Sequence, residues 1–247
     1  MNVVLASDMR QSPQAHGVQF YTDDRVLLDV LRRFIGGALA AGDGAVVIAT
    51  QAHHDALAQE LRNEGFDAEK AVRQGRYIRE EAGEVLSRIM VNGLVDKTRF
   101  TEVVGDLLTR AANAAQCRDS RVVAFGELVA LLWAQGKTEE ALRVEQFWND
   151  LSREQYFSLL CAYPVAWFNI DGQIEPFLRM CAEHSGVIAS ENFAGVGSIE
   201  ERLRTIADLQ QKTVALEAAL RLRNSEERFR LFVEGGGARL RHLHARS

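Results

Sequence analysis

The sequence predicts an α/β protein with a mainly parallel sheet covered by helices. Runs of β-branched and apolar residues, such as "GAVVIAT" and "SRVVAF", are typical of strands buried on both faces. The segments between these runs carry apolar residues at helical spacing. Their length, roughly 10–20 residues, suits the helical crossover that joins two parallel strands.

The elements follow in order from these patterns. The first strand is expected at "GVQFY", and a helix should follow an Asp N-cap, because Val26, Leu27, Val30 and Leu31 recur at helical spacing. Residues 1–14 have weak periodicity and are expected to form a flexible tail. Later strands are expected at "GDGAVVIAT", "GRYIRE", "SRVVAFGEL" and "YFSLLCAYPV", and later helices at "HHDALAQELRNEGF", "AGEVLSRIMVNGLV", "DKTRFTEVVGDLLTRAANAA" and "KTEEALRVEQFWNDL".

The turn after the first strand carries Thr22, Asp23 and Asp24. A phosphate loop needs glycines and a lysine, and none lies between Tyr21 and Leu27. Carboxylates at a helix N-terminus instead place negative charge where a phosphate would bind. The layout of strand, turn, helix and second strand resembles a RecA/KaiC-like nucleotide-binding fold without its phosphate loop. We therefore expect no ATP hydrolysis, and a RecA-like nucleotide-dependent enzyme is the alternative function.

Composition excludes several classes of protein. With 247 residues, 47% of them hydrophobic, the chain can bury one core and hold one domain with an extension. The net charge of -5 does not indicate the basic surface that nucleic-acid binding requires. No segment reaches the ~18 apolar residues that span a bilayer and no leader is recognisable, so a cytoplasmic protein that binds neither membrane nor nucleic acid is expected.

The sequence predicts no cofactor and no metal site. Cys117, Cys161 and Cys181 are far apart and lack the spacing of zinc ligands, so they are interpreted as reduced thiols. His53 and His54 are adjacent and point in different directions on a helix. They are interpreted as a solvated helix start.

Three ordered motifs resemble one known family. "HGVQFY", "FGELVALLWAQGKTEEALRVEQFWNDL" and "YFSLLCAYP" look like the MEDS domain, the methanogen/methylotroph DcmR-type sensory domain, over residues 15–190. The resemblance implies a domain that senses small molecules at the N-terminus of histidine kinases and transcription regulators. Carried over by motif, it implies these candidate ligand-binding residues: His16, Phe20, Tyr21, Glu127, Glu145, Trp148, Asn149, Cys161 and Tyr163.

Position in the predicted sheet favours three of these residues as ligand contacts. Ligands of doubly wound sheets bind beyond the carboxyl ends of the strands, where Tyr21, Glu127 and Tyr163 are expected to converge. An aromatic rim with one carboxylate suits a small apolar or weakly cationic ligand. The alternative is that Phe20, Trp148 and Cys161 only pack the core, and that Glu127 is one half of a buried ion pair.

The C-terminal part predicts a signalling helix over 197–234. Ile199–Glu234 contains no proline or glycine, and one a/d seam holds Ile206, Leu209, Thr213, Leu216 and Leu220. This pattern predicts a homodimer through residues 199–234. A single helix packed on its own domain is the alternative.

The last residues suggest a longer protein. "NSEERFRLFVEG" resembles the lead-in to a PAS domain in sensor histidine kinases, but the irregular tail 235–247 has no strand pattern. Codons can be chosen for residues 238–245 that, when read in a shifted frame, encode a peptide typical of the first strand of a PAS domain. We therefore hypothesise a frameshift at Gly235–Gly237. The chain would then be the front of a kinase, without enzymatic activity of its own.

The function expected from the sequence is a sensory and signal-transduction module. It would bind a small molecule or a partner and signal through the C-terminal coiled coil. A second alternative is an interaction module that binds no ligand.

Overall fold

The computed structural model describes residues 2–4, 14–21, 23–116, 121–164 and 179–188. All of them belong to one compact unit, Met1–Asn192. The predicted coiled-coil helix at 197–234, the tail at 235–247 and Cys117 lie outside the described residues.

The strands of the described residues are β1 Asn2–Val4, β2 His16–Tyr21, β3 Gly44–Ala49, β4 Tyr77–Glu81, β5 Met90–Val91, β6 Leu94–Val95, β7 Val122–Gly126, β8 Phe157–Pro164 and β9 Gly186–Ile188. Seven of these strands form one sheet, in the order β1-β9-β2-β8-β7-β3-β4. Every neighbouring pair in it is parallel. A short antiparallel hairpin, β5-β6, lies apart from it.

Helices cover both faces of the sheet, because each crossover must return the chain to the start of a parallel strand. The helices that precede β4 pack on one face, and those that follow β4 pack on the other. A π-helical turn, Arg32–Gly36, joins the first two. The α-helices are α1 Asp24–Leu31, α2 Gly37–Ala40, α3 Gln51–Asn63, α4 Ala68–Arg73, α5 Ala82–Ile89, α6 Lys97–Ala114, α7 Leu128–Ala134 and α8 Thr138–Glu154.

This topology contains a switch point between β3 and β7. These strands are neighbours, yet the chain leaves β3 for the α3 face and leaves β7 for the α7 face. The connections diverge and leave the carboxyl ends of the two strands open between them, which is where doubly wound proteins bind ligands.

The predicted α/β class with a mainly parallel sheet is confirmed. Several segments differ from the prediction, and α4, α7 and β9 were not predicted at all. Asn2–Val4 form an edge strand that pairs with β9, within the segment expected to be a tail. The helix expected through "AGEVLSRIMVNGLV" ends at Ile89, because Asn92 and Gly93 both have positive φ and turn the chain into the β5-β6 hairpin. Among the described residues, no helix combines the length and the apolar character that crossing a membrane requires.

Candidate functional site

The alternation of side chains along β2 and β8 brings His16, Cys161 and Tyr163 to one face of the sheet. The two strands pair in parallel with Val18 opposite Cys161. Because successive side chains point to opposite faces, His16 lies on the same face as Val18, and Tyr163 lies on the same face as Cys161. This is the face covered by α8.

Helix α8 presents polar groups to that face. Glu145, Trp148 and Asn149 are spaced i, i+3 and i+4, so they share the side of the helix that faces the sheet. Glu145 and Trp148 are buried there. A carboxylate in such a position needs partners, since an unpaired buried charge is costly.

Glu145 and three neighbouring side chains form a compact group. We call this group the His–Glu–Cys cluster, and its members are His16, Glu145, Cys161 and His184. Nε2 of His16 lies 3.2 Å from Oε2 of Glu145 and 3.4 Å from Sγ of Cys161. Nε2 of His184 lies 3.5 Å from Oε1 of Glu145. All four residues are buried.

Neighbouring groups orient three of these side chains. Nδ1 of His16 lies 2.8 Å from Oδ1 of Asn149, and Nδ1 of His184 lies 2.7 Å from the carbonyl oxygen of Met180. The hydroxyl of Tyr163 donates to Oε1 of Glu145. The cluster is therefore held from outside by an amide, a backbone carbonyl and a phenol.

Burial changes the protonation of the cluster. It lowers the pKa of His184 to about 4, so this imidazole is neutral at pH 7. Burial, together with the nearby Glu145 carboxylate, raises the pKa of the Cys161 thiol well above its ordinary value. In the protein alone, Cys161 is thus a thiol and His184 a neutral base.

A second polar site occupies the switch point between β3 and β7. Glu127 follows β7, and its side chain is only 5% exposed. Its Oε2 accepts from the backbone N–H of Thr50 at 2.7 Å, and its Oε1 lies 2.5 Å from Nδ1 of His53. We call Glu127 and His53 the switch-point pair.

The surroundings of the switch-point pair are aromatic and acidic. The hydrogen bond that His53 donates to the Glu127 carboxylate raises the pKa of His53, against the opposing effect of burial. Nε2 of His53 lies 3.9 Å from the exposed Asp24, and the His53 side chain is 16% exposed. Burial and the carboxylates of Glu127 and Asp24 together raise the pKa of Tyr21.

The residues named from the sequence fall into two groups. Tyr21 packs with the α1 face near Glu127, whereas Tyr163 lies on the α8 face and bonds to Glu145. The three residues expected to converge, Tyr21, Glu127 and Tyr163, are therefore divided between the two faces of the sheet. His16 and Cys161 join the His–Glu–Cys cluster.

The two remaining aromatic candidates contact the core on the α8 face. Phe20 is half-buried, and its ring lies 6.2 Å from that of Tyr163. Trp148 is buried and meets Phe100 edge to face at 5.2 Å. Trp148 also packs on the backbone of Gly126, where an added Cβ would lie 3.2 Å from its ring.

Sequence reasoning missed His184 and His53. His184 stands outside the three motifs, and its position beside Glu145 depends on folding. The interpretation of His53 and His54 as a solvated helix start is wrong: His54 is buried against the carbonyl of Glu80, and His53 binds Glu127. Their position directly after a buried strand was the available signal, because that places them at the carboxyl edge of the sheet.

A cavity of about 290 Å³ lies at the opposite end of the sheet, before β3 and β4. Its one buried cation, Arg76, donates to the carbonyls of Leu39 and Asp43 and to Gln74. Since these contacts occupy the guanidinium, we assign this cavity no part in the candidate sites.

Comparison with known proteins places this architecture in a family. No curated protein matches the chain. Residues 15–184, more than half of the chain, match the family described as MEDS, the MEthanogen/methylotroph, DcmR Sensory domain. The matched range begins one residue before β2 and ends at His184, so it contains both polar sites. The chain belongs to the MEDS family of sensory domains.

Proposed function

We propose that this chain is a sensory and signal-transduction module that binds a small molecule at the switch point between β3 and β7. The observation that carries the proposal is the buried Glu127 carboxylate, fixed at the carboxyl ends of two neighbouring strands by a partly exposed histidine. Membership of a family of sensory domains supports the sensory role.

The charges around the pair indicate the class of ligand. Glu127 and Asp24 are close enough to Tyr21 to disfavour its ionisation, and His53 supplies the one cation in direct contact with Glu127 among the described residues. A ligand with a cationic or hydrogen-bond-donating group would replace His53 on the carboxylate. Tyr21 would supply an aromatic contact for the apolar part of such a molecule.

The signal would leave through the C-terminal helix predicted at 197–234. In this proposal the seam of Ile206, Leu209, Leu216 and Leu220 joins two copies in parallel. The downstream output would be a histidine kinase, as the PAS-like lead-in of the sequence suggests. The described residues do not include this helix, so its support is the sequence pattern alone.

Native mass spectrometry of the full chain purified from its own host tests the ligand. We expect a fraction of the protein to carry an added small-molecule mass, and we expect Glu127→Gln to lose it. Glu140→Gln is the matched control, because Oε2 of Glu140 is likewise buried and accepts a backbone N–H, that of Val95, at 2.7 Å. Glu140 lies on α8 rather than at the switch point.

The outcomes distinguish the proposal from its alternatives. An added mass that Glu127→Gln removes and Glu140→Gln retains supports the switch-point site. A mass retained by both variants would refute this location. A folded chain with no added mass would favour an interaction module over a small-molecule sensor.

A further inference from the structure

The His–Glu–Cys cluster is separate from the proposed small-molecule site, because it lies on the α8 face of the sheet and the switch-point pair lies at the strand ends. We propose that His16, Glu145, Cys161 and His184 together bind one divalent transition-metal ion, and that Zn²⁺ is the ion that this donor set suits best. This inference is independent of the small-molecule site.

The separations of the donor atoms fit a tetrahedral ion. Metal–ligand distances of about 2.0–2.3 Å give ligand–ligand separations of about 3.3–3.6 Å in a tetrahedron. Nε2 of His16 lies 3.2 Å from Oε2 of Glu145 and 3.4 Å from Sγ of Cys161, and Sγ lies 3.7 Å from that oxygen. No two of the four donor atoms are more than 4.8 Å apart, so the widest pair needs to close by at most roughly 1 Å.

Both imidazoles are fixed with Nε2 facing the centre of the cluster. A carbonyl oxygen only accepts, so Nδ1 of His184 must carry the proton that it shares with Met180. The amide nitrogen of Asn149 donates to the backbone and side-chain oxygens of Glu183. Oδ1 of Asn149 therefore faces His16 as an acceptor, and Nδ1 of His16 also carries its proton.

One acceptor of the cluster lacks a donor. The carboxylate of Glu145 accepts from the thiol of Cys161 and from the hydroxyl of Tyr163. Nε2 of His184 is fully buried and has no hydrogen-bond partner among the described residues. A buried acceptor without a donor is costly, and a cation at the centre would satisfy all four groups at once.

The charges of the ligand set balance a dication. On binding, the S–H bond of Cys161 breaks, the proton leaves for the solvent, and the sulfur electron pair forms the bond to the metal. The thiolate and the Glu145 carboxylate then supply two negative charges, and the two neutral imidazoles supply none. The occupied site is electrically neutral, as a site with no exposed ligand requires.

Partners outside the ligand set resemble those of known metal centres. Metal-binding histidines donate their other ring N–H to a carboxylate, carbonyl or amide, and metal-binding carboxylates accept further hydrogen bonds. Asn149 and the Met180 carbonyl hold the two histidines in this way, and Tyr163 donates to Glu145. Four protein ligands make a closed site, which favours a structural ion over a catalytic one.

Titration of the metal-stripped full-length chain with Co²⁺ and Zn²⁺ tests the proposal. We expect one equivalent of Co²⁺ per chain, with a thiolate-to-cobalt charge-transfer band in the near ultraviolet, and displacement of Co²⁺ by Zn²⁺. Cys161→Ala should abolish the band. The control is Cys181→Ala, because Cys181 is a half-buried thiol that lies outside the cluster, so its loss should leave the band intact.

A second pair of variants tests the histidines without removing the thiol. His184→Gln should lower Co²⁺ affinity by more than the 10–100-fold typical of losing a partner outside the ligand set. His54 is also buried but contacts the carbonyl of Glu80 on β4, away from the cluster, so His54→Gln should not change the affinity. Absence of the band in the folded wild-type chain, or a band that survives Cys161→Ala, would overturn the proposal.

Discussion

Nε2 of His184 lies 3.5 Å from Oε1 of Glu145, and neither side chain is exposed to solvent. Both atoms are acceptors, because the proton of His184 is on Nδ1 and is shared with Met180. Two buried acceptors at this distance attract each other only when a proton or a cation lies between them. The predictions about the cluster follow from this arrangement.

Replacement of Glu145 by Gln should have opposite effects in the absence and presence of Zn²⁺. Without metal, the amide brings a donor to an acceptor-rich cluster and removes a buried charge, so the free energy of unfolding should stay equal or rise. With Zn²⁺, the wild type should become the more stable protein. Urea unfolding of both proteins in both conditions measures the effect, with Glu139→Gln, an exposed partner of Arg179, as the control. If Glu145→Gln instead lost about 3–5 kcal/mol without metal, the cluster would be a self-contained ion pair.

Asn149 is predicted to position His16 for the metal. Asn149→Ala removes the acceptor for Nδ1 of His16 and should lower Co²⁺ affinity about 10–100-fold while the charge-transfer band keeps its wavelength. Gln146 lies on the same helix as Asn149. Gln146→Ala removes an exposed contact with Glu183 and should leave the affinity unchanged. Equal effects of the two changes would contradict a positioning role for Asn149.

The switch-point pair should make stability depend on pH. Glu127 raises the pKa of His53 above its ordinary 6.5, so the folded protein binds the proton more tightly than the unfolded chain. The stabilisation is fully present below about pH 6.5 and is lost as the pH rises through the raised pKa of the folded state. The difference in unfolding free energy between wild type and His53→Gln should therefore shrink between about pH 6 and about pH 9. This range starts near the ordinary histidine pKa and extends above it. A difference that grew with pH would show that His53 is not stabilised as a cation.

The start of α1 should not bind Mg-ATP. The carboxylate of Asp23 accepts from the backbone N–H of Arg25 at 2.8 Å and also binds its guanidinium, so the helix N-terminus already holds an anion. Thermal melts with Mg-ATP on the order of 1 mM should show no shift. Micromolar affinity that Asp24→Ala changes would restore the nucleotide-dependent alternative.

The full-length chain should be a dimer through the predicted seam. A lone helix that exposes Ile206, Leu209, Leu216 and Leu220 is marginal in water, so a parallel partner is expected. Deletion of 199–247 should give a folded monomer in analytical ultracentrifugation. Leu216→Glu should weaken the dimer, and Gln211→Glu, off the seam, should not. A full-length monomer at high micromolar concentration would exclude the coiled coil.

Most strands and helices from β2 to β8 are predictable because hydrophobic periodicity is local, but the short helices α4 and α7 were missed. The β5-β6 hairpin was missed although "NG" is a strong turn signal, because Met90 and Val91 continue the apolar pattern of α5. Strand β1 was missed because three residues carry too little periodicity, and its pairing with β9 is a contact across the whole domain.

The candidate sites were only partly predictable for the same reason. Glu127 follows a buried strand, so its place at the sheet edge could be inferred from the local pattern. His16 and Cys161 are 145 positions apart, and their contact depends on the register of β2 against β8. Rules for metal sites rely on ligands close in sequence, and this cluster has no such pair.

The residues of the His–Glu–Cys cluster leave the ribosome in a fixed order, and His184 emerges last. By the time it appears, β2, β8 and α8 have all been synthesised, so the sheet order from β2 to β4 can be complete while one donor is still missing. A nascent chain would thus offer an ion only three groups until the end of the domain is released. Tight metal binding would then mark the completion of the domain during synthesis.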